Sequence, residues 1–339
     1  MTLDLVDLST NENPLGPSPR VVEAIIREAH RVHRYPARDD GTLRAALADH
    51  HRRGLTPDHF FAASSASEVL DLVARASLQA GDEAIICSPT FPVYATTIRN
   101  NQGVVVDVPL DPETALHDVT RILSAVTPRT RLLYLCNPGN PTGVVMPASA
   151  VRTVLDAVPP EVLVVADEVY YQYVDDPAFP DTVAAIHDGR PVVIVHSFSK
   201  GYGMAGLRLG YGIARPELVD RLGRFRLTYH LSGPAHAAGL AALADQDHVA
   251  RTVALTADGR RTLSGALTRL GVRHWHSEAN FILAAPAEPD DTFHRLAEHG
   301  IQVRSVAGPG QVRCLRISIG LPETTQRVID AMASLQGTP

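Results

Sequence analysis

Between residues 60 and 196 one pattern recurs: a short apolar run, a cluster of polar or turn-forming residues, then a stretch with helical spacing. The apolar runs lie at 84–87, 104–108, 132–136, 162–166 and 192–196. Runs so short and continuous are buried on both faces, and with helices between most of them they pair as a largely parallel, doubly covered sheet. The fold class is α/β. Ligands of such sheets sit outside the carboxyl ends of the strands. Four polar clusters fall there: Ser88-Pro89-Thr90-Phe91, Asn137-Pro138-Gly139-Asn140-Pro141-Thr142-Gly143, Asp167-Glu168-Val169-Tyr170 and Ser197-Phe198-Ser199-Lys200. Four clusters at one sheet edge are a stronger signal than any of them alone.

The flanks read differently. Residues 8–19 are dense in turn formers and form a loop, after which Ser18 caps a helix with Pro19 at its first position and apolar residues Val22, Ile25, Ile26 and Ala29. Arg34-Tyr35-Pro36 ends it, and a second helix starts at Gly41. The loop Ala63-Ser64-Ser65-Ala66-Ser67-Glu68 opens another. Beyond Arg215 a long helical stretch runs to about residue 270, interrupted near Leu231-Ser232-Gly233-Pro234. Strands at 280–283 and 312–319, a helix at 291–300 and a closing helix at 322–335 suggest a second, smaller α+β unit. At 339 residues two domains are expected: a large one over 34–235, and a small one of 1–33 with 236–339.

Composition removes whole classes of function. A net charge of −6 with scattered basic residues leaves no nucleic-acid or membrane footprint. The apolar runs are far too short to span a bilayer. Met1-Thr2-Leu3-Asp4 lacks the basic start and apolar core of an export signal. Cys87, Cys136 and Cys314 are odd in number and lie in apolar surroundings, which points to buried thiols and a cytoplasmic protein. The 15 histidines form no metal-ligand motif, so no metal is expected.

Lys200 is the only lysine; the other 30 of the 31 basic residues are arginine. Arginine replaces lysine as a surface cation but not as an amine that loses its proton and adds to a carbonyl. Lys200 follows an apolar strand and Ser-x-Ser and precedes a glycine-rich segment, so it reads as a Schiff-base lysine rather than a surface remnant. A pyridoxal cofactor needs such an amine, a carboxylate at its ring nitrogen, hydrogen bonds to its phenolic oxygen, a ring-stacking face and an anion site. Asp167, Tyr170, Asn140 and Phe91 can supply the middle three. Ala66 and Ser67 at a helix start, with Ser197, Ser199 and Arg208, can supply the last. Each has a plainer reading alone: Asp167 as a helix cap, Tyr170 as a packed ring, Asn140 as a turn former, Ser65 or Ser67 as a cap.

From about Leu8 to Ile329 the chain resembles the fold-type-I pyridoxal-phosphate aminotransferases of class I/II, and most closely their histidinol-phosphate aminotransferase group. The resemblance rests on Ser9-Thr10-Asn11-Glu12-Asn13-Pro14, Arg34-Tyr35-Pro36, Asn140-Pro141-Thr142-Gly143, Asp167-Glu168-Val169-Tyr170, Ser197-Phe198-Ser199-Lys200, Gly206-Leu207-Arg208-Leu209-Gly210 and Leu315-Arg316-Ile317-Ser318-Ile319-Gly320. It implies that Lys200 binds the pyridoxal 5'-phosphate aldehyde and shuttles a proton, with Asp167 on the ring nitrogen. It implies Asn140 and Tyr170 on the phenolic oxygen, Phe91 against the ring, and Ala66, Ser67, Ser197, Ser199 and Arg208 on the phosphate. Tyr35 would reach that phosphate from the second subunit of a homodimer. Arg316 and Arg304 would take substrate anions, with Asn13 and Tyr229 in the substrate pocket. The implied activity is ping-pong transfer of an amino group to 2-oxoglutarate, histidinol phosphate being the leading donor. An aromatic or specialised amino donor, a threonine-phosphate-type decarboxylase and a catalytically silent binding relative are the alternatives. The chain departs from the group in Ser65-Ala66-Ser67-Glu68, where relatives usually carry Gly-Ala-Asp-Glu or Gly-Ser-Asp-Glu, and in opening only a few residues before its Asn-Glu-Asn-Pro motif.

Overall fold

The computed structural model describes residues 5–336; Met1-Thr2-Leu3-Asp4, the stretch on which the expectation about an export signal rests, lies outside them. After a short β1 (Val6–Asp7) come the strands of the central sheet: β2 (Phe60–Ala63), β3 (Glu83–Ile86), β4 (Val104–Asp107), β5 (Thr130–Cys136), β6 (Leu163–Asp167), β7 (Val192–Ser197) and β8 (Gly210–Ile213). Their order in space is β2-β8-β7-β6-β5-β3-β4. Every pairing is parallel except those of β8, which runs against both β2 and β7. Side chains alternate between faces along a strand. Here both faces are apolar: Phe60, Ile85, Leu133, Val164 and Ile194 enter one core, and Phe61, Ala84, Leu132, Val165 and Val193 the other. That double burial is why four of the five strands read from the sequence are nearly continuous apolar runs; the fifth, β4, is the sheet edge and is only half-buried, with Val104 48% exposed.

The sequence reading missed β2 and β8. β8 hides because two of its four residues are glycine. Gly212 is required by packing, since a Cβ there would lie 2.2 Å from the Phe61 ring. The stretch after Arg215 is three helices, Pro216–Gly223, Gly233–Leu243 and Gln246–Arg269. The second break, at Ala244 and Asp245, carries no glycine or proline and so gave no signal. The helix Pro19–Ala29 is capped by Ser18, whose side chain accepts from the Val21 N–H, as expected. Its buried face, however, is Val21 and Ala24, while Val22 and Ile26 point outward.

A second sheet follows: β9 (Arg273–His274), β10 (Phe281–Ala285), β12 (Arg304–Ala307) and β13 (Arg313–Ser318), antiparallel in the order β12-β13-β10-β9, with β11 (Ile301–Gln302) outside it. Helices Gln246–Arg269, Pro289–Glu298 and Pro322–Gln336 cover it around Leu263, Leu267, Ile282, Ile317 and Val328. β1 pairs in parallel with β11. The chain therefore starts on the small sheet, and residues 8–12 pass from there to the cavity at the carboxyl edge of the large one. Val21 of the first helix and Ala238 and Ala242 of Gly233–Leu243 join the core of the large sheet. No helix of the described residues is long and apolar enough to cross a membrane.

Candidate active site

The strand ends build one wall. β6 closes on Asp167, whose buried carboxylate accepts from the Tyr94 hydroxyl at 2.6 Å and from the Val169 N–H at 3.3 Å. Burial raises its pKa to about 6; the Tyr94 and Val169 bonds pull downward, and neighbouring Glu168 pushes up. Among the described residues no cation pairs with it. Opposite Asp167 on β5 is Cys136, from which the chain turns to Asn140; opposite it on β7 is Val195, two residues before Ser197. Phe91, just beyond β3, meets the edge of Tyr94 at 5.8 Å between centroids.

A second group forms where β2, β8 and β7 lie side by side. Gly210 of β8 stands in register with Ala63 and with Ser197. β2 leads through Ser64 and Ser65 into the helix Ala66–Ser77, and Ser65 Oγ accepts from the Glu68 N–H at 3.2 Å. A Cβ on Gly210 would sit 2.3 Å from the Ala66 nitrogen, so only glycine lets the strand come this close to the helix start. Arg208, in a left-handed conformation at φ 55°, precedes it. Uncapped N–H groups, hydroxyls and a guanidinium so gathered favour an anion.

The opposite wall comes from residues 9–12 and the small sheet. The Lys200 amine donates to the carbonyls of Thr10 at 3.2 Å and Asn11 at 3.0 Å. Burial lowers its pKa to about 8, helped by Arg316 and Arg208 and opposed by Glu12. Arg316 on β13 donates to Asn140 Oδ1 at 2.8 Å and to the Ser9 carbonyl at 2.6 Å, while its buried Nε has no partner. Arg304, its cross-strand neighbour on β12, faces the same cavity. That cavity encloses about 1060 Å³.

Twelve of the fifteen residues singled out from the sequence line this cavity: Lys200, Asp167, Tyr170, Asn140, Phe91, Ala66, Ser67, Ser197, Ser199, Arg208, Arg304 and Arg316. Three do not. The Asn13 carboxamide is spent inside the protein, donating to the Gly201 carbonyl and to Thr252 Oγ1 and accepting from the Leu15 N–H. Its place in the substrate pocket is not what the structure gives. Tyr229 lies outside the cavity of its own chain, 41% exposed and stacked on Tyr35 at 4.8 Å. Tyr35 is itself 82% exposed and likewise lies outside the cavity of its own chain.

A family model, "Aminotransferase class I and II", matches residues 4–332. The chain belongs to the class I and II aminotransferases. It is an enzyme dependent on pyridoxal phosphate. The histidinol-phosphate aminotransferase of Symbiobacterium thermophilum is 40% identical over 335 residues, 98% of this chain and 91% of that one. That of Ruegeria pomeroyi is 40% identical over 338 residues, again 98% and 91%. The crystal structure of histidinol-phosphate aminotransferase from Sinorhizobium meliloti in complex with pyridoxal-5'-phosphate superposes with a TM-score of 0.89 at 27% identity, covering 98% of this chain and 92% of that one.

The aminotransferase cavity suits this cofactor on its own chemistry. Asp167 is a buried carboxylate without a cation, the complement of a protonated ring nitrogen. The Gly210 notch clears backbone donors for a phosphate, and Lys200 is an amine whose surroundings favour loss of its proton. Sequence reasoning missed two contributors. Tyr94, which holds Asp167, looked like any apolar helix residue. The carbonyls of residues 9–11, which hold Lys200 and Arg316, leave no trace in side-chain identity.

Proposed function

We propose that the enzyme transfers the amino group of histidinol phosphate to 2-oxoglutarate in two half-reactions at this one cavity. The observation that carries the proposal is the pairing of Arg304 and Arg316 on adjacent strands facing the cavity that holds Lys200. Two guanidiniums side by side suit a doubly charged phosphate, and a dicarboxylate in the return reaction. The names of the relatives at 35–40% identity support the same donor. When bound, the cofactor supplies an aldehyde that takes up the donor's amine and a ring that accepts the electrons released at the donor carbon.

The chain's residues do the rest. Lys200 presents its amine, then carries a proton between the donor carbon and the cofactor as a general acid–base. Asp167 keeps the ring nitrogen protonated from within the core. Tyr170 and Asn140 bind the phenolic oxygen, and Phe91 covers the ring face. Ala66, Ser67, Ser197, Ser199 and Arg208 hold the phosphate. The active unit is a homodimer in which Tyr35 completes the neighbour's phosphate site. Support for this comes from the exposed apolar side chains Val22, Ile26, Val32, Tyr35, Leu227 and Tyr229, an unusual concentration for a lone chain. Three free, buried cysteines fit a cytoplasmic enzyme.

A half-reaction screen tests the donor. Cofactor-loaded protein is mixed with single amines, and loss of the bound cofactor's visible absorbance is followed. Histidinol phosphate is expected to bleach it at micromolar to millimolar concentration; bleaching only by free amino acids refutes the donor. Borohydride reduction followed by digestion tests the lysine, and absence of a label on the Lys200 peptide refutes the site.

A further inference from the structure

Asn11 occupies the junction of the lysine, the phenol and the small sheet. It is 1% exposed, and its backbone is left-handed at φ 55°. Residues other than glycine seldom take this conformation; asparagine is the usual exception, because its short side chain bonds its own neighbourhood. Here the side chain reaches much farther. Its carboxamide nitrogen donates to the Tyr170 hydroxyl at 3.1 Å, 159 positions away, and its carboxamide oxygen lies 3.0 Å from Ser318 Oγ, 307 positions away, sharing that hydroxyl's one hydrogen with the Leu8 carbonyl at 2.7 Å. The backbone is equally engaged. The Asn11 N–H donates to Ser318 Oγ at 2.9 Å, and the Asn11 carbonyl accepts from Lys200 at 3.0 Å and from the Asn280 side chain at 3.0 Å.

A neutral primary amine has two hydrogens and one lone pair. Once Lys200 has lost its proton, the carbonyls of Thr10 and Asn11 can take both remaining hydrogens, which leaves the lone pair to react. The left-handed turn at Asn11 is what aims the second carbonyl. Ser318 stands two residues beyond Arg316 on β13, so the same turn is tied to the strand that carries the anion-binding guanidinium.

We propose that Asn11 is a positioning residue for amino transfer: its left-handed backbone orients the Lys200 amine, and its carboxamide sets Tyr170 and the Arg316 strand in register with that amine. The proposal rests on Lys200 being the reactive amine. Because the chain has no other lysine, an amine reagent reports on this side chain alone once the Lys200 peptide is isolated.

The test uses full-length protein freed of cofactor, with cyanate as the probe and carbamylation of the Lys200 peptide followed by mass spectrometry at one pH. Asn11→Ala disfavours the left-handed turn and removes the carboxamide; it is expected to slow carbamylation about fivefold, the factor associated with one ordinary hydrogen bond. Asn11→Gly keeps the turn and loses only the side chain, so its carbamylation stays within about twofold of wild type. In the loaded enzyme Asn11→Gly lowers kcat about tenfold with KM for the donor unchanged, the mark of misplaced groups rather than lost binding. Carbamylation of Asn11→Ala at the wild-type rate or faster overturns the proposal. So does an Asn11→Gly protein as slow as Asn11→Ala, or one whose kcat is intact. If Asn11→Ala does not fold, the kcat and KM of Asn11→Gly decide alone. Carbamylation needs no substrate, so an enzyme that transfers no amine refutes the functional reading and leaves this comparison standing.

Discussion

The two walls of the cavity are built on different principles. Along the large sheet, Asp167, Asn140, Ser197 and the start of the helix Ala66–Ser77 are fixed by strands in mutual register, with two apolar cores behind them. Across from them stand residues 9–11, a segment that is neither strand nor helix, whose carbonyls accept from Arg316 of the small sheet and from the amine of Lys200, itself anchored three residues beyond β7. A strand end cannot move without disturbing its neighbours. A carbonyl contact can be exchanged for a ligand oxygen at small net cost, because a hydrogen bond is traded for a hydrogen bond. The sheet wall, with Lys200 at its edge, is therefore suited to a resident cofactor, and the segment wall with Arg316 to substrates that come and go.

Changes that test this contrast fall in order of size. Lys200→Arg keeps the charge and removes the removable proton, so transfer is expected to drop by at least about a thousandfold while the fold survives, as circular dichroism and steady-state assays would show. Asp167→Ala strikes the fixed wall and should cost about a hundredfold in kcat. Arg316→Lys strikes the exchangeable wall. It loses the planar fork, and KM for the 2-oxo acid should rise about tenfold with a smaller change in kcat. If Asp167→Ala raised KM instead and Arg316→Lys lowered kcat alone, the division of labour between the walls would be wrong.

Two subtler changes concern protons. Tyr94→Phe removes the hydroxyl that pulls the Asp167 pKa down, so in the cofactor-free protein that carboxyl should titrate above its present value of about 6, measurable by carbon-13 NMR. Glu168 sits behind the wall, bonded to Thr182 and His196, with burial raising its pKa to about 8. The same burial lowers His196 to about 3, so the pair is neutral at pH 7. The folded state thus holds a proton on Glu168 that the unfolded chain releases near pH 4.5. Its contribution to stability is complete below that pH and is lost as the pH rises through about 8. Glu168→Gln should flatten that loss, seen as a smaller fall in Tm between about pH 6 and pH 9 than in wild type.

How much of this was legible in the sequence follows the same division. The fixed wall was readable because burial on both faces forces continuous apolar strands, and chemistry-bearing residues must then follow where each strand stops. Even there β8 was hidden by Gly210 and Gly212, which are dictated by the close approach of Ala66 and Phe61 rather than by strand preference. The exchangeable wall was readable only in its arginines. Their partners are peptide carbonyls, identical at every residue, and their placement depends on β1 pairing with β11 almost 300 residues later. Asn13 misled for a related reason: it stands in the same motif as Asn11, but its carboxamide faces Thr252 and not the cavity.

The solitary lysine has a consequence in the cell. Proteins rich in lysine absorb stray acyl groups and sugars on dozens of harmless surface amines. Here no decoy exists among the side chains, so on the proposed role of Lys200 acylation of lysine and inactivation are one event. On that same reading the bound cofactor guards the amine, and a molecule made faster than its vitamin is supplied would be the one open to damage.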